Sequence, residues 1–296
     1  MSAAVKKERC PACAELGKDT AADNLTVFPS GKFHCIAAGK DKAHNRRIIE
    51  LRPELGKENA LPSPEAARKD DDNAARKRTQ WPPFEILSRC EKLTVANSRG
   101  IAIEGIELAS ERGLVWRADW RNFPCWIVTD SRRMNAQARR MDGLPFVIDG
   151  KSRKAITLPG SRASMPIGLG EARDFPAVAV CEGGPDLLAA HGCILTEGRK
   201  DVAVVAILGA GHRPSVATWS ALAGKRVRIY CHCDTHGMKA GQEWGEAILA
   251  AGAVVDAFRF NGLKKTDGSP VGDLNDLLAL HPDDFDARRE VMEVLP

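Results

Sequence analysis

Tyrosine is almost missing from this chain of 296 residues: Tyr230 is the only one, and aromatic residues together make up 5%. Chemistry that needs a mobile tyrosine nucleophile is left with one candidate, and Tyr230 lies inside an apolar, strand-like run. Long hydrophobic runs are missing too. None approaches the roughly 18 residues that a membrane helix needs, so no membrane role is expected. No leader-like segment opens the chain. The nine cysteines are odd in number and mostly isolated. That argues against a disulfide framework and for a reducing, cytoplasmic setting. No G-x-G-x-x-G follows a strand, and no Gly-rich loop ends in Lys-Ser or Lys-Thr. A dinucleotide fingerprint and a self-contained ATPase are therefore disfavoured.

Net charge is only +4, but it is unevenly spread. Residues 1–60 carry +3, residues 61–88 balance, residues 89–162 carry +6 and residues 163–296 carry −5. A basic front ahead of an acidic rear suits a polyanion held beside bound cations. An ordinary mixed surface is the plainer account of the same numbers.

The most informative stretch is 178–277. An apolar run ends at Cys181, and Glu182-Gly183-Gly184-Pro185-Asp186 follows at once, opening a helical pattern. This reads as strand, tight turn and helix with a carboxylate at the strand's end. A second unit of the same kind runs from 226 to 251 and carries Cys231-His232-Cys233-Asp234 and then Gly237. Further strands are expected at 202–208 and 254–260, giving an α/β, Rossmann-like parallel sheet. Asp273-Leu274-Asn275-Asp276 adds a third acidic cluster. Ligands of open α/β sheets sit beyond the carboxyl ends of strands. Hard oxygen ligands converging there suit Mg²⁺ or Mn²⁺. Helix capping is the competing account for Asp186, Asp273 and Asp276.

At the other end, Cys10-x2-Cys13 forms a thiolate pair, followed by a hairpin pattern at 25–35 with its turn at 29–31. Cys35 and His44 complete four ligands for a structural Zn²⁺. His34 competes for the fourth place, but it neighbours Cys35 on a strand and should point the opposite way. A short helix is expected at 45–55, then a flexible linker at 56–80 rich in Pro, Ala and charge. Two or three helices and several strands follow. That part carries Arg132, Arg133, Arg139, Arg140 and Lys154, cations able to neutralise phosphates of a template or of nucleotides. Asp142-Gly143 is a hairpin-turn signal.

Together these residues resemble the DnaG-type primases of bacteria and mobile elements, over roughly 8–280 apart from the linker. Cys10, Cys13, Phe33-His34-Cys35 and His44 look like the zinc ribbon of that family. Cys125-Trp126-Ile127-Val128-Thr129-Asp130, Ala138-Arg139-Arg140-Met141-Asp142-Gly143 and the stretch 154–161 are similar to the basic front of its polymerase core. Glu182 to Asp186, His232 to Gly237 and Asp273 to Asp276 fall on the three acidic motifs of the TOPRIM fold. The resemblance implies a zinc ribbon at 1–55, a linker at 56–80, a basic core part at 81–175 and a TOPRIM domain at 176–296. It implies primer synthesis on single-stranded DNA from nucleoside triphosphates. Glu182, Asp186, His232, Asp234, Asp273 and Asp276 would then be catalytic, with Glu182, Asp234 and Asp273 on a divalent cation. Glu182 has a second reading as a general base. His232 departs from the family pattern by standing at the first Asp of an Asp-x-Asp pair. The family's helicase-binding domain has no counterpart before Pro296, so a replicative helicase would be supplied separately, as in a phage or integrated element. A TOPRIM nuclease and a catalytically silent DNA-binding regulator are the competing readings.

Overall fold

The computed structural model describes residues 6–28, 33–39, 41–55 and 64–280. The chain forms two compact units, Met1–Asn73 and Ala74–Pro296.

The first unit has strands β1 (Lys6–Glu8), β2 (Leu25–Val27) and β3 (Phe33–Cys35) in an antiparallel sheet of that order. Helix α1 (Pro11–Glu15) follows β1, and α2 (Lys42–Leu51) follows β3. The expected hairpin is the β2–β3 pair, with Leu25 opposite Cys35. Its turn at 29–31 lies outside the described residues. Helix α2 starts earlier than the sequence pattern suggested because Asp41 caps it. Asp41 Oδ1 accepts the amides of Ala43 at 2.9 Å and His44 at 3.2 Å. Pro53 disfavours helix at Arg52, and a 3-10 turn, Pro53–Leu55, follows. The buried apolar cluster is Cys10, Ala12, Cys13, Leu25, Cys35, Ile48 and Leu55. So small a core, with cysteines at three of its positions, needs a staple.

Helix α3 (Pro64–Arg78) occupies most of the segment expected to be a flexible linker, which corrects that reading. Ala, Glu, Arg and Lys favour helix, and proline is tolerated at the first position. The end of α3 is held. Arg78 Nη1 donates to Gly160 O at 2.8 Å, and Trp81 Nε1 donates to Pro159 O at 2.6 Å. Gly160 has φ +78°, and a Cβ there would stand 2.4 Å from Ala74 O, so glycine lets this loop lie against the helix.

Helices α4 (Arg89–Arg99) and α5 (Ile103–Glu111) come next. A reciprocal Ser88–Glu91 capping box starts α4, and Gly100 in the left-handed region ends it. Strands β4 (Val115–Trp120), β5 (Phe123–Thr129), β6 (Ala136–Arg140), β7 (Phe146–Ile148), β8 (Lys151–Arg153) and β9 (Ile156–Thr157) follow. β4-β5-β6-β9 form one antiparallel sheet, and β7–β8 a separate hairpin. The Asp142-Gly143 signal does not join paired strands. The tight hairpins turn at Arg121-Asn122 and at Asp149-Gly150, where φ is positive at both residues.

The rest is the expected parallel sheet: β10 (Ala177–Glu182), α6 (Gly183–Thr196), β11 (Val202–Ile207), α7 (Val216–Trp219), β12 (Arg226–Tyr230), α8 (Thr235–Ala250) and β13 (Val254–Phe258). Strand order is β11-β10-β12-β13, all parallel. β10 is apolar at successive residues because both its faces are covered. Ala177, Ala179 and Cys181 share a core with Trp126 and Leu187, while Val178 and Val180 share one with Trp219 and Trp244. The chain leaves β10 towards β11 and leaves β12 towards β13, in opposite directions. The reversal opens a crevice at the carboxyl ends of β10 and β12. A 3-10 helix, Leu274–Ala279, packs Leu274 and Leu277 into the α6 side of the core. Among the described residues no helix is long and apolar enough to cross a membrane.

Candidate metal centres

In the first unit, Cys10 is the N-cap of α1 and its Sγ accepts the Cys13 amide at 3.5 Å. This turn aims both thiols the same way. Strand β3 brings Cys35 Sγ to 3.5 Å from Cys13 Sγ. Helix α2 brings His44 Nε2 to 3.3 Å from Cys10 Sγ and 3.5 Å from Cys13 Sγ. All four ligand atoms lie within 4.8 Å of one another. A tetrahedron with metal–sulfur arms of about 2.3 Å has corners about 3.8 Å apart, close to what these side chains adopt. The four residues picked from the sequence are thus the four brought together, and His34 is exposed as its strand position required. Buried Asp19 accepts the amides of Cys10 and Asp23 and fixes the loop between. Burial, then the neighbouring thiols, pushes Cys13 up to about 12. A bound cation reverses that shift, since thiolate is the ligand form.

The second centre lies in the crevice of the parallel sheet. Glu182 ends β10, and Gly183 at φ +89° turns the chain directly into α6. Gly184 sits so close to β5 that a Cβ would stand 3.1 Å from the Trp126 ring. Asp186 then falls on the inner face of α6, 2% exposed. Its Oδ2 stands 3.1 Å from His232 Nε2, and its Oδ1 accepts the Asn275 amide at 3.2 Å. His232 Nε2 is 3.9 Å from Asp273 Oδ2, and its Nδ1 is 3.9 Å from Glu182 Oε2. Glu182 Oε1 accepts the Ala210 amide at 2.9 Å, while Oε2 is buried with no hydrogen-bond partner. Asp186, His232 and Asp273 bring their ligand atoms within 4.8 Å of one another. Gly237 makes room for this: a Cβ there would stand 2.7 Å from both Cβ and O of His232.

The expected divalent set of Glu182, Asp234 and Asp273 assembles only in part. Asp234 is exposed and caps α8, accepting the Gly237 amide at 2.7 Å, so His232 takes the inward place. Asp234 still lies close enough for its charge to raise Glu182. Asp276 accepts the Gly272 amide at 2.9 Å and pairs with Lys265 at 3.2 Å. Asp273 does both jobs: Oδ1 accepts the Asp276 amide at 3.0 Å, while Oδ2 faces His232. Asp186, for which capping was the rival account, does not cap its own helix α6.

Burial pushes Glu182 and Asp273 above the usual carboxylate range. It lifts Asp186 to about 6, against the pull of His232. Burial works the other way on His232, but the bond to Asp186 and the charges of Asp186, Glu182 and Asp273 outweigh it and hold the imidazole at about 9. Three carboxylates crowded in one crevice, one with an unpartnered oxygen, are a donor set that a cation neutralises.

The basic side chains separate. β6 sends Arg139 and Arg140 to opposite faces, as alternation requires. Arg139 lies over the Trp126 ring at 5.8 Å, with its Nε lacking an acceptor and with the charge of Asp186 within reach. Burial, then Arg99, pulls it down to about 10. Arg140 is engaged elsewhere, with Asp142 and 3.7 Å from the Phe123 ring. Arg133 stacks on Phe84 and Trp116. Arg132 and Lys154 are exposed. Arg99, at the end of α4, was missed in the sequence; its Nε is buried and also lacks an acceptor. Only its place just before the left-handed Gly100 set it apart.

No protein-family model and no curated protein matches the chain. Among solved structures it is similar to the primase fragment of the bacteriophage T7 primase-helicase protein, at 16% identity over 98% of this chain and 99% of that one, with a TM-score of 0.43. It is similar to the zinc-binding and RNA polymerase domains of the Aquifex aeolicus primase, at 18% identity over 99% and 80%, TM-score 0.44. It is also similar to a chain from a bacteriophage T7 complex of lagging-strand DNA polymerase with primase domains bound to an RNA/DNA hybrid and dTTP. That match has 16% identity over 72% and 91%, TM-score 0.43.

Proposed function

We propose that this chain is a DNA-directed RNA primase that joins nucleoside triphosphates into short primers on single-stranded DNA. The observation that carries the proposal is the gathering of Glu182, Asp186, His232 and Asp273 at the switch point of a parallel sheet, with Arg139 beside them. In this reading Cys10, Cys13, Cys35 and His44 hold a structural Zn²⁺ and residues 1–55 meet the template. Residues 81–175 supply cations to phosphate, 176–296 is a TOPRIM domain, and 56–80 connects the first part to the rest.

Asp186, His232 and Asp273 would hold a divalent cation, with Glu182 next to them. When bound, such a cation supplies Lewis-acid charge for in-line displacement at phosphorus. The chain's own residues do the positioning. The Ala210 amide fixes one oxygen of Glu182 and leaves the other free toward the crevice. The Asn275 amide and the burial of Asp186 lock that carboxylate in one rotamer. The unpartnered Nε of Arg139, and that of Arg99 near it, fit a phosphate oxygen as acceptor. Asp234 and Asp276 act through the elements they cap and tie rather than as ligands. In this reading the partners are a single-stranded DNA template, nucleoside triphosphates and a replicative helicase.

The test is primer synthesis on single-stranded DNA with labelled nucleotides, in Mg²⁺ and then in Mn²⁺, comparing wild type with Glu182→Gln. Labelled oligoribonucleotides should appear and should fall by on the order of 10²-fold or more in the variant, since even outer partners of metal ligands are worth 10–100-fold. Template cleavage without extension would make the chain a nuclease. DNA binding with neither product would make it a silent regulator.

A further inference from the structure

We infer that the crevice centre takes a first-row transition dication in preference to Mg²⁺, with His232 Nε2 as a direct ligand beside one oxygen each of Asp186 and Asp273. This rests on the proposed nucleotidyl-transfer site and names the cation class that site selects.

Four features point to it. The chain puts an imidazole where an all-oxygen centre would have a carboxylate, and the carboxylate two residues on, Asp234, is turned away to cap α8. Nε2 faces the ligand oxygens at 3.1 Å and 3.9 Å, so it is the nitrogen offered to an ion between them. The other ring nitrogen, Nδ1, faces Glu182 Oε2, whose oxygen is buried and lacks a hydrogen-bond partner. Metal-bound imidazoles use such a carboxylate on the far nitrogen to fix tautomer and ring angle. Finally, the absence of a Cβ at Gly237 lets the first turn of α8 lie against His232, since a Cβ there would stand 2.7 Å from both its Cβ and its carbonyl oxygen, and this sets where His232 leaves the backbone.

The chemistry then discriminates. Mg²⁺ demands near-ideal octahedral oxygen and gives up water reluctantly. Exchanging a carboxylate oxygen for a neutral nitrogen removes both charge and hardness from its ligand set. First-row transition dications accept mixed imidazole and carboxylate sets and rise in affinity across the series from Mn²⁺. Asp273 and His232 remain about a third exposed, at 31% and 30%, so open coordination positions face solvent for a phosphate oxygen.

The probe is Mn²⁺ added to the full chain loaded with one equivalent of zinc, read by pulsed electron paramagnetic resonance. Bound Mn²⁺ should show ¹⁴N modulation from a coordinated imidazole, and ¹⁵N labelling of the histidines should change that pattern in the wild type itself. His232→Asp should abolish the nitrogen signal and leave Mn²⁺ bound. Mg²⁺ competition should also shift, wild type needing about tenfold or more Mg²⁺ than the variant to displace Mn²⁺. Mn²⁺ held by oxygen alone, no Mn²⁺ bound at all, or equal displacement by Mg²⁺ in both proteins would overturn the inference. An imidazolium that bridges Asp186 and Asp273 in place of a metal gives the second of these outcomes. Primer synthesis is measured separately, so oxygen-only coordination with active priming would discard the nitrogen ligand and keep the proposed function.

Discussion

His191 is fully buried on α6, where its Nδ1–H donates to Leu187 O at 2.7 Å and its Nε2 has no partner. It belongs to neither centre. Burial pulls it from 6.5 down to about 4, against the help of the Leu187 carbonyl. The folded protein therefore keeps it neutral over a range where the unfolded chain protonates it. Stability from this residue is complete above 6.5 and is lost as pH falls towards 4. The full difference is about 3 kcal/mol. Asp186 works in the opposite sense, since its carboxyl is raised to about 6 and, as pH falls, takes up a proton in the fold before it does in the unfolded chain. The informative quantity is thus the difference between proteins: urea unfolding at pH 7 and at pH 4 should differ less in His191→Leu than in wild type. Equal pH dependence in the two would show that His191 is not held neutral.

At the scale of elements, the crossing of α5 and α6 sets where Asp186 stands. A Cβ on Gly105 would lie 2.6 Å from both Gly192 N and Leu188 O, backbone atoms that cannot turn aside. Gly105→Ala should force the two helices apart and cost about 1–3 kcal/mol, seen as a lower urea midpoint. An unchanged midpoint would mean that α5 moves freely against α6. The glycines at 183 and 237 stood next to visible motifs in the sequence. Gly105 did not, because the backbone it must approach lies far along the chain. The correction at α3 has a similar origin: proline, alanine and charge read as linker, while contacts of Arg78 and Trp81 with the loop at 159–160, far along the chain, hold the end of the helix.

For the whole molecule, the two compact units differ in what holds them. All six tryptophans lie at position 81 or beyond, inside the second unit. The first unit has a small apolar cluster that includes Cys10, Cys13 and Cys35, three of the four residues able to hold zinc. Stripping zinc from the full chain with a strong chelator should therefore open residues 1–73 to protease while tryptophan fluorescence stays as it was. A fluorescence change that tracks zinc loss would show that the second unit depends on the ribbon for its fold.

The sequence by itself determined the four-ligand set, the α/β order of elements and the acidic residues that end the strands. Each of these is written in local spacing: thiol to thiol across one turn, apolar runs broken by Gly-rich turns, a carboxylate directly after a strand. Tertiary structure alone decided which carboxylates face the crevice. Asp234 and Asp276 met local amides first, while Asp186 and His232 were left to face each other across β10 and β12. It also decided that Arg139 turns inward and Arg140 outward with Asp142. The reason is that Asp234, Asp276 and Arg140 find partners within four residues, whereas Asp186 meets His232 and the Asn275 amide only where the fold brings distant segments within about 3 Å.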